Sequence, residues 1–314
     1  MEIDSGPGIE QPEAPRYDYV VSATGLVSRT LSVWARNIFA FLVIIGVLAA
    51  LFNVVQFVAL WMLFQDLALA VDLVPYLGTD PFSFFFGLYS LIMLESPPTP
   101  DVLNTFITGS LLLMLVGMVV YAILAGASIK YSLDDYGSRQ AEMGSSVGFA
   151  MGRAGTLIIA QILVGIISAA LFMPALMYIL LVPLTLEALA TASVLILVTF
   201  ILVVYVGVRF APVAAVVIAE DKSAIGSLRR AFELTGGQFW HVFVGQIVLG
   251  IVAIVLGLIV GVFLFGLVLG FGVIGLLIPG MIAGLLFTAI PYVFQAVLYR
   301  DLESRDVETS QQLW

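Results

Sequence analysis

Residues 242–299 read VFVGQIVLGIVAIVLGLIVGVFLFGLVLGFGVIGLLIPGMIAGLLFTAIPYVFQAVLY, 58 residues without one charged side chain. As a straight helix rising 1.5 Å per residue, this stretch would reach about 87 Å, far beyond the ~30 Å hydrocarbon core of a bilayer. It has to fold back on itself. Gly270, Phe271 and Gly272 are the expected turn, giving spans near 242–267 and 274–298. Working outward, four more charge-free intervals appear: 37–65, 102–129, 154–186 and 188–208. Each holds the roughly 20 apolar residues needed to cross a membrane. The expected fold is all-α and polytopic, with six transmembrane helices.

The composition agrees. Of 314 residues, 61% are hydrophobic and 11% charged, and the mean hydropathy is +1.13. A soluble domain is nearer 45–50% apolar and about 25% charged, so one water-soluble core is excluded. The arginines set the orientation. Arg29 and Arg36 precede the first span; Lys130, Arg139 and Arg153 lie between the second and third. Arg209, Lys222, Arg229 and Arg230 lie between the fourth and fifth, and Arg300 and Arg305 follow the sixth. The opposite connections carry only Asp66, Asp72, Asp80, Glu95, Asp101 and Glu187. The positive-inside rule then predicts a multi-pass protein of the cell membrane with both termini cytoplasmic.

The domain plan follows. Residues 1–23 are expected to form a disordered acidic cytoplasmic tail, 24–300 the six-helix membrane domain, and 301–314 a short cytoplasmic tail. Within the outer loop 66–101, the apolar segment 82–94 (FSFFFGLYSLIML) is short for a span. It reads as an interfacial or re-entrant helix anchored by its aromatics, or as a lid over an outer cavity.

Each pair of spans is preceded by a short amphipathic stretch: 24–37 (TGLVSRTLSVWARN), 145–155 (SSVGFAMGRAG) and 223–237 (SAIGSLRRAFELTGG). Val27, Leu31, Trp34 and Ile38 form the apolar stripe of the first; Ile225, Leu228, Phe232 and Phe239 form that of the third. The second and third share S-[SA]-[VI]-G and a later glutamine. These features predict three parallel hairpin repeats, each led by a cytoplasmic interfacial amphipathic helix. Gly257-xxx-Gly261 and Gly280-xxx-Gly284 supply spacings for close helix packing.

The stretch 205–245, YVGVRFAPVAAVVIAEDKSAIGSLRRAFELTGGQFWHVFVG, closes a span with Arg209 and enters the next through S-L-R-R-A-F-x-L-T-x-G-x-F-W. It resembles the membrane domain of glycerophosphoryl diester phosphodiesterases and its free-standing six-span relatives. The resemblance implies the membrane architecture. It does not carry the phosphodiesterase activity, which in such fusions resides in a separate soluble barrel, because the longest outer connection has only 36 residues.

Several chemistries are excluded or left without residues. There is no cysteine, so disulfides, thiol catalysis and thiolate-bound metals are absent. The net charge of −9 argues against nucleic acid. Two lysines against ten arginines, with acidic tails, suit a halophilic archaeon, although an ordinary acidic membrane protein could look the same. The single histidine, His241, reads as an interfacial polar residue; no G-x-S-x-G elbow or G-K-[ST] loop occurs. No catalytic residue, metal site or cofactor is expected.

Two candidate sites remain. Arg209, Glu220, Arg229, Arg230 and Glu233 form the densest charged cluster. It is either a solvated face with a local Arg230–Glu233 pair or a surface for anionic lipid or a partner. Gln56, Gln161, Gln246 and Gln295 are four of the intramembrane amides. They either bond between helices or line a polar cleft, which Pro174, Pro183 and Pro291 could open by kinking their spans. No ionisable side chain lies deep in any span, which disfavours an ion-coupled carrier. The expected function is a non-enzymatic integral membrane scaffold or accessory subunit acting on lipids or a membrane-protein partner. The alternative is a permease or channel for a small neutral or lipid-like solute.

Overall fold

The computed structural model describes residues 19–46, 100–183 and 185–312, with positions 49, 52, 55, 58, 59 and 62 between the first two segments. Side chains are described except at 102, 103, 268, 269, 271–286 and 308–312. The outer segment 82–94, the tail 1–18 and Gln56 lie outside the described residues. The described chain is helical, with no strand among the described residues.

Helix α1 is Ala23–Arg36 and α2 is Ile38–Gly46, turned from it by 77°. Then come α3 (Pro100–Ser138), α4 (Met143–Leu181), α5 (Leu186–Arg209) and the short α6 (Val213–Ala219). Helices α7 (Ala224–Leu234), α8 (Phe239–Thr288) and α9 (Ile290–Gln312) complete the chain. Four helices are long and apolar enough to cross a membrane, or five if the bent pair α1–α2 counts as one span. This is the architecture of a multi-pass membrane protein.

The boundaries have local causes. Ser22 caps α1, its Oγ accepting from the Gly25 amide at 3.1 Å, and Ser223 caps α7 in the same way from Gly226 at 3.2 Å. Helix α1 stops at Asn37, whose side chain bonds back to the Val33 carbonyl at 3.0 Å. Helix α7 stops at Gly236 and Gly237, the latter with φ of 75°. The first and third amphipathic stretches are therefore separate helices, as the sequence predicts. The second is not: residues 145–155 run without a break into α4, because the isolated glycines there cost about 1 kcal/mol each and no capping pair stops the helix. Pro183 also differs from expectation, since α4 ends at Leu181 and the proline lies in the α4–α5 connection.

The expected reversal is present in an unexpected form. Helical backbone continues from Phe239 to Thr288, across the Gly270–Gly272 turn. Yet His241 Nε2 lies 2.8 Å from Asp301 Oδ2. A straight helix from 241 to 288 would put about 70 Å between its ends, and the 13 residues from 288 to 301 would recover only about 20 Å as helix. Gly257 and Phe287 also line one cavity, so the path reverses between them while staying helical.

Burial is concentrated at the arginine-bearing ends of the helices. Leu26, Val33, Ile45, Leu124, Ile129, Leu157, Val208, Val242, Val293 and Leu298 join one core there. Its centre is α6: Val213, Ala215, Val216, Val217 and Ile218 are all buried, and the helix touches α3, α4, α7 and α9. Close approach comes from small residues. A Cβ on Gly126 would stand 2.9 Å from Leu157 Cδ1 and 3.0 Å from Ala150 Cβ, and one on Gly245 would stand 3.1 Å from Leu26 Cδ1. Gly257 and Gly261 meet nothing within 4 Å, so that G-x-x-x-G spacing makes no close helix contact.

The amphipathic helix α7 divides its apolar residues between two faces. Its inward face is Ala224, Ser227, Ala231 and Leu234, while Ile225 is 73% exposed and Phe232 42% exposed. Small side chains let α7 lie close to its neighbours; of the apolar stripe, Leu228 and Phe239 pack against the core while Ile225 and Phe232 turn outward.

Candidate functional site

The charged end is built from three knots of polar side chains. In the first, Asp301 is fully buried on α9. One carboxylate oxygen accepts from the Val21 amide at 2.9 Å. The other lies 2.8 Å from His241 Nε2 and 3.0 Å from Arg305 Nε. Arg305 also donates to the Val21 carbonyl at 2.6 Å. This knot ties the chain before α1, the start of α8 and the middle of α9 together. Burial alone would raise the Asp301 carboxyl, but His241, Arg305 and the Val21 amide outweigh it and hold it below the ordinary value.

The second knot centres on Glu220, directly after α6. It meets Arg230 Nε at 3.2 Å and Lys222 Nζ at 2.6 Å, and accepts from the Tyr299 hydroxyl at 3.2 Å. Arg230 reaches on to Asp306 at 3.0 Å. Burial opposes ionisation of Glu220, and the hydrogen bonds from Lys222 and Arg230 overcome it, so its carboxyl is held low. In the third knot, Arg36 pairs with Asp135, which also accepts from Asn37 at 2.8 Å. This fixes the α1–α2 bend against α3. Arg153 pairs with Asp221 at the edge.

The five residues of the predicted charged cluster therefore separate by role. Arg230 and Glu220 are paired and half-buried. Arg229 and Glu233 form an exposed pair at 2.9 Å. The expected Arg230–Glu233 pair is replaced because i,i+4 places Arg229 over Glu233, while Arg230 turns inward to Glu220. Arg209 stands apart: its guanidinium centre sits 3.8 Å over the Phe232 ring and 5.7 Å from that of Tyr205, and Nη1 donates to Thr235 Oγ1 at 3.4 Å.

The glutamines divide between two cavities. Gln161 and Gln295 share one of about 280 Å³ with Leu157, Val164, Phe210 and Val213. Gln246 lines another of about 300 Å³ with Leu249, Leu256, Phe287 and Pro291. Both are walled mainly by apolar side chains.

Sequence reasoning missed Asp301 and its pairing with His241. Sixty residues separate them, and Asp301 falls where a solvated tail was expected; helix α9 instead runs on to Gln312. A buried acid one residue past Arg300 leaves no sequence signal of its own. Among the described residues, no three His, Cys, Asp or Glu side chains gather as a metal site. In chemical terms the acids of the three knots are engaged in structural pairing, and the cavities offer amide hydrogen bonds and apolar contact. Compared with known proteins, the chain matches no family model, no curated protein and no solved structure.

Proposed function

We propose that this chain is a non-enzymatic integral membrane protein, a helical scaffold or accessory subunit that acts on lipids or a membrane-protein partner at the inner face. The observation that carries this reading is the charged end. Three polar knots and the buried α6 hold α1, α3, α7, α8 and α9 into one face, and α7 turns Ile225 and Phe232 outward from it. Six spans, with both termini cytoplasmic, are part of the proposal. The reversal between Gly257 and Phe287 supports the last pair, and the arginine distribution supports the orientation.

The three-hairpin repeat is likewise proposed. It is supported by matching starts: Ser22-Ala23-Thr24-Gly25 and Ser223-Ala224-Ile225-Gly226 cap their helices through the same serine-to-glycine bond. Ser145-Ser146-Val147-Gly148 repeats the pattern in sequence. The resemblance of 205–245 to the membrane domain of glycerophosphoryl diester phosphodiesterases fits the same plan.

Crosslinking and mild-detergent purification from native membranes, with mass spectrometry of everything retained in fixed ratio, tests the reading. A stoichiometric protein or lipid is expected. Recovery of the chain alone, together with solute flux in liposomes, would replace it with the permease reading, which the shared Gln161–Gln295 cavity favours.

A further inference from the structure

Among the described residues, Arg36, Lys130, Arg153, Lys222, Arg229, Arg230, Arg300 and Arg305 each meet a carboxylate. Arg209 meets none of the described carboxylates. Arg29 donates to the Tyr136 hydroxyl at 3.0 Å, and Arg139 stands on an exposed turn after α3. Arg209 differs from both because it closes α5, the first charge after a long apolar helix.

Its setting is built rather than accidental. Phe232 covers one face of the guanidinium at 3.8 Å, and Thr235 takes one long hydrogen bond. The Nε atom is buried and has no hydrogen-bond partner. A guanidinium carries five donors in one plane and does not lose its proton, so a half-buried Arg209 with an orphaned Nε and no carboxylate is poorly compensated. The aromatic rings and the C-terminal ends of α5 and α7 offset part of that charge. They do not accept the remaining in-plane N–H groups, which match the paired oxygens of a phosphate.

The surroundings say what carries the phosphate. Tyr205 and Phe232 are each 42% exposed and Trp240 is 71% exposed, beside the end of an apolar span. Aromatic side chains of this kind settle at the headgroup level of a bilayer. We propose that Arg209, held by Phe232 and Thr235, is the binding centre for the phosphate of an anionic membrane lipid. The proposal rests on the reading that this end faces the inner leaflet.

The test uses the purified full chain in mild detergent and native mass spectrometry. The probes are short-chain phosphatidylglycerol, the matching uncharged diacylglycerol, and inorganic phosphate. Phosphatidylglycerol should bind and diacylglycerol should not. Arg209→Gln should weaken binding about tenfold or more, Arg209→Lys should fall between, and Arg229→Gln should bind as the natural chain does. Equal binding by Arg209→Gln would overturn the site. Inorganic phosphate binding as tightly as the lipid would overturn the lipid assignment. Should Arg209→Gln not fold, Arg209→Lys and competition by phosphate on the natural chain decide. Failure of the inner-face reading registers separately, as labelling of a single cysteine at this end by a membrane-impermeant reagent in intact cells.

Discussion

The arginine-bearing end and the helix shafts of this molecule are made of the same few apolar residue types, yet they behave oppositely. At the charged end, Ala215, Val216, Leu157, Val242 and Tyr299 are buried, and Asp301 is buried with them. Along the shafts, Leu197, Phe200, Ile254, Leu258 and Phe263 are largely exposed. In water this difference would be a defect. In a bilayer it is expected, because lipid tails are as apolar as leucine and do not drive helices together. Close packing then has to come from small residues, hydrogen bonds and ion pairs, and those are gathered at one end.

The sharpest way to break the comparison is to remove Asp301. Asp301→Ala leaves His241 and Arg305 without their buried partner, and should cost about 3–5 kcal/mol. Thermal unfolding in detergent checks this; a change below about 1 kcal/mol would show that the end is held by apolar contact alone. Acid should act in the same direction. The folded-state pKa values of Asp301 and Glu220 lie below their ordinary values of 3.8 and 4.5. Their stabilisation is therefore complete above those values and lost as pH falls through the lower folded ones. Melting temperature should be flat near neutrality and should drop below about pH 4.

The sequence already carries much of this division. Charge-free intervals locate the long helices, and the amphipathic stretches 24–37 and 223–237 locate α1 and α7. Three features are hidden for physical reasons. Helix α6 is seven apolar residues between Arg209 and Glu220, too short to span and too uniform for periodicity to separate from a loop. The stripe of Ile225 and Phe232 is visible, but its direction is not, because in a membrane protein apolar does not mean inward. The candidate sites are legible only as lists. Arg229 follows its i,i+4 spacing to Glu233, whereas Arg230 finds Glu220 and Asp306 only through the tertiary fold.

A smaller effect sharpens the comparison. Gly126→Ala places a methyl carbon 2.9 Å from Leu157 Cδ1 and 3.0 Å from Ala150 Cβ, so α3 and α4 must separate. Its cost should be about 1–3 kcal/mol by unfolding in detergent. Gly257→Ala and Gly261→Ala, on the open shaft, should leave the melting temperature unchanged or slightly raised. The smallest effect belongs to the surface. Arg229→Ala breaks an exposed pair and should change stability by less than about 0.5 kcal/mol.

The central claim is that the polar knots form one face on the inner side of the membrane. The chain has no cysteine, so single cysteines can report sidedness without background. Ser138→Cys, Glu233→Cys and Ser304→Cys belong to that face, and Val182→Cys to the opposite connection. In intact cells, a membrane-impermeant thiol reagent should label only Val182→Cys, and the other three should label after the membrane is opened. Labelling of any of those three from outside would contradict the account.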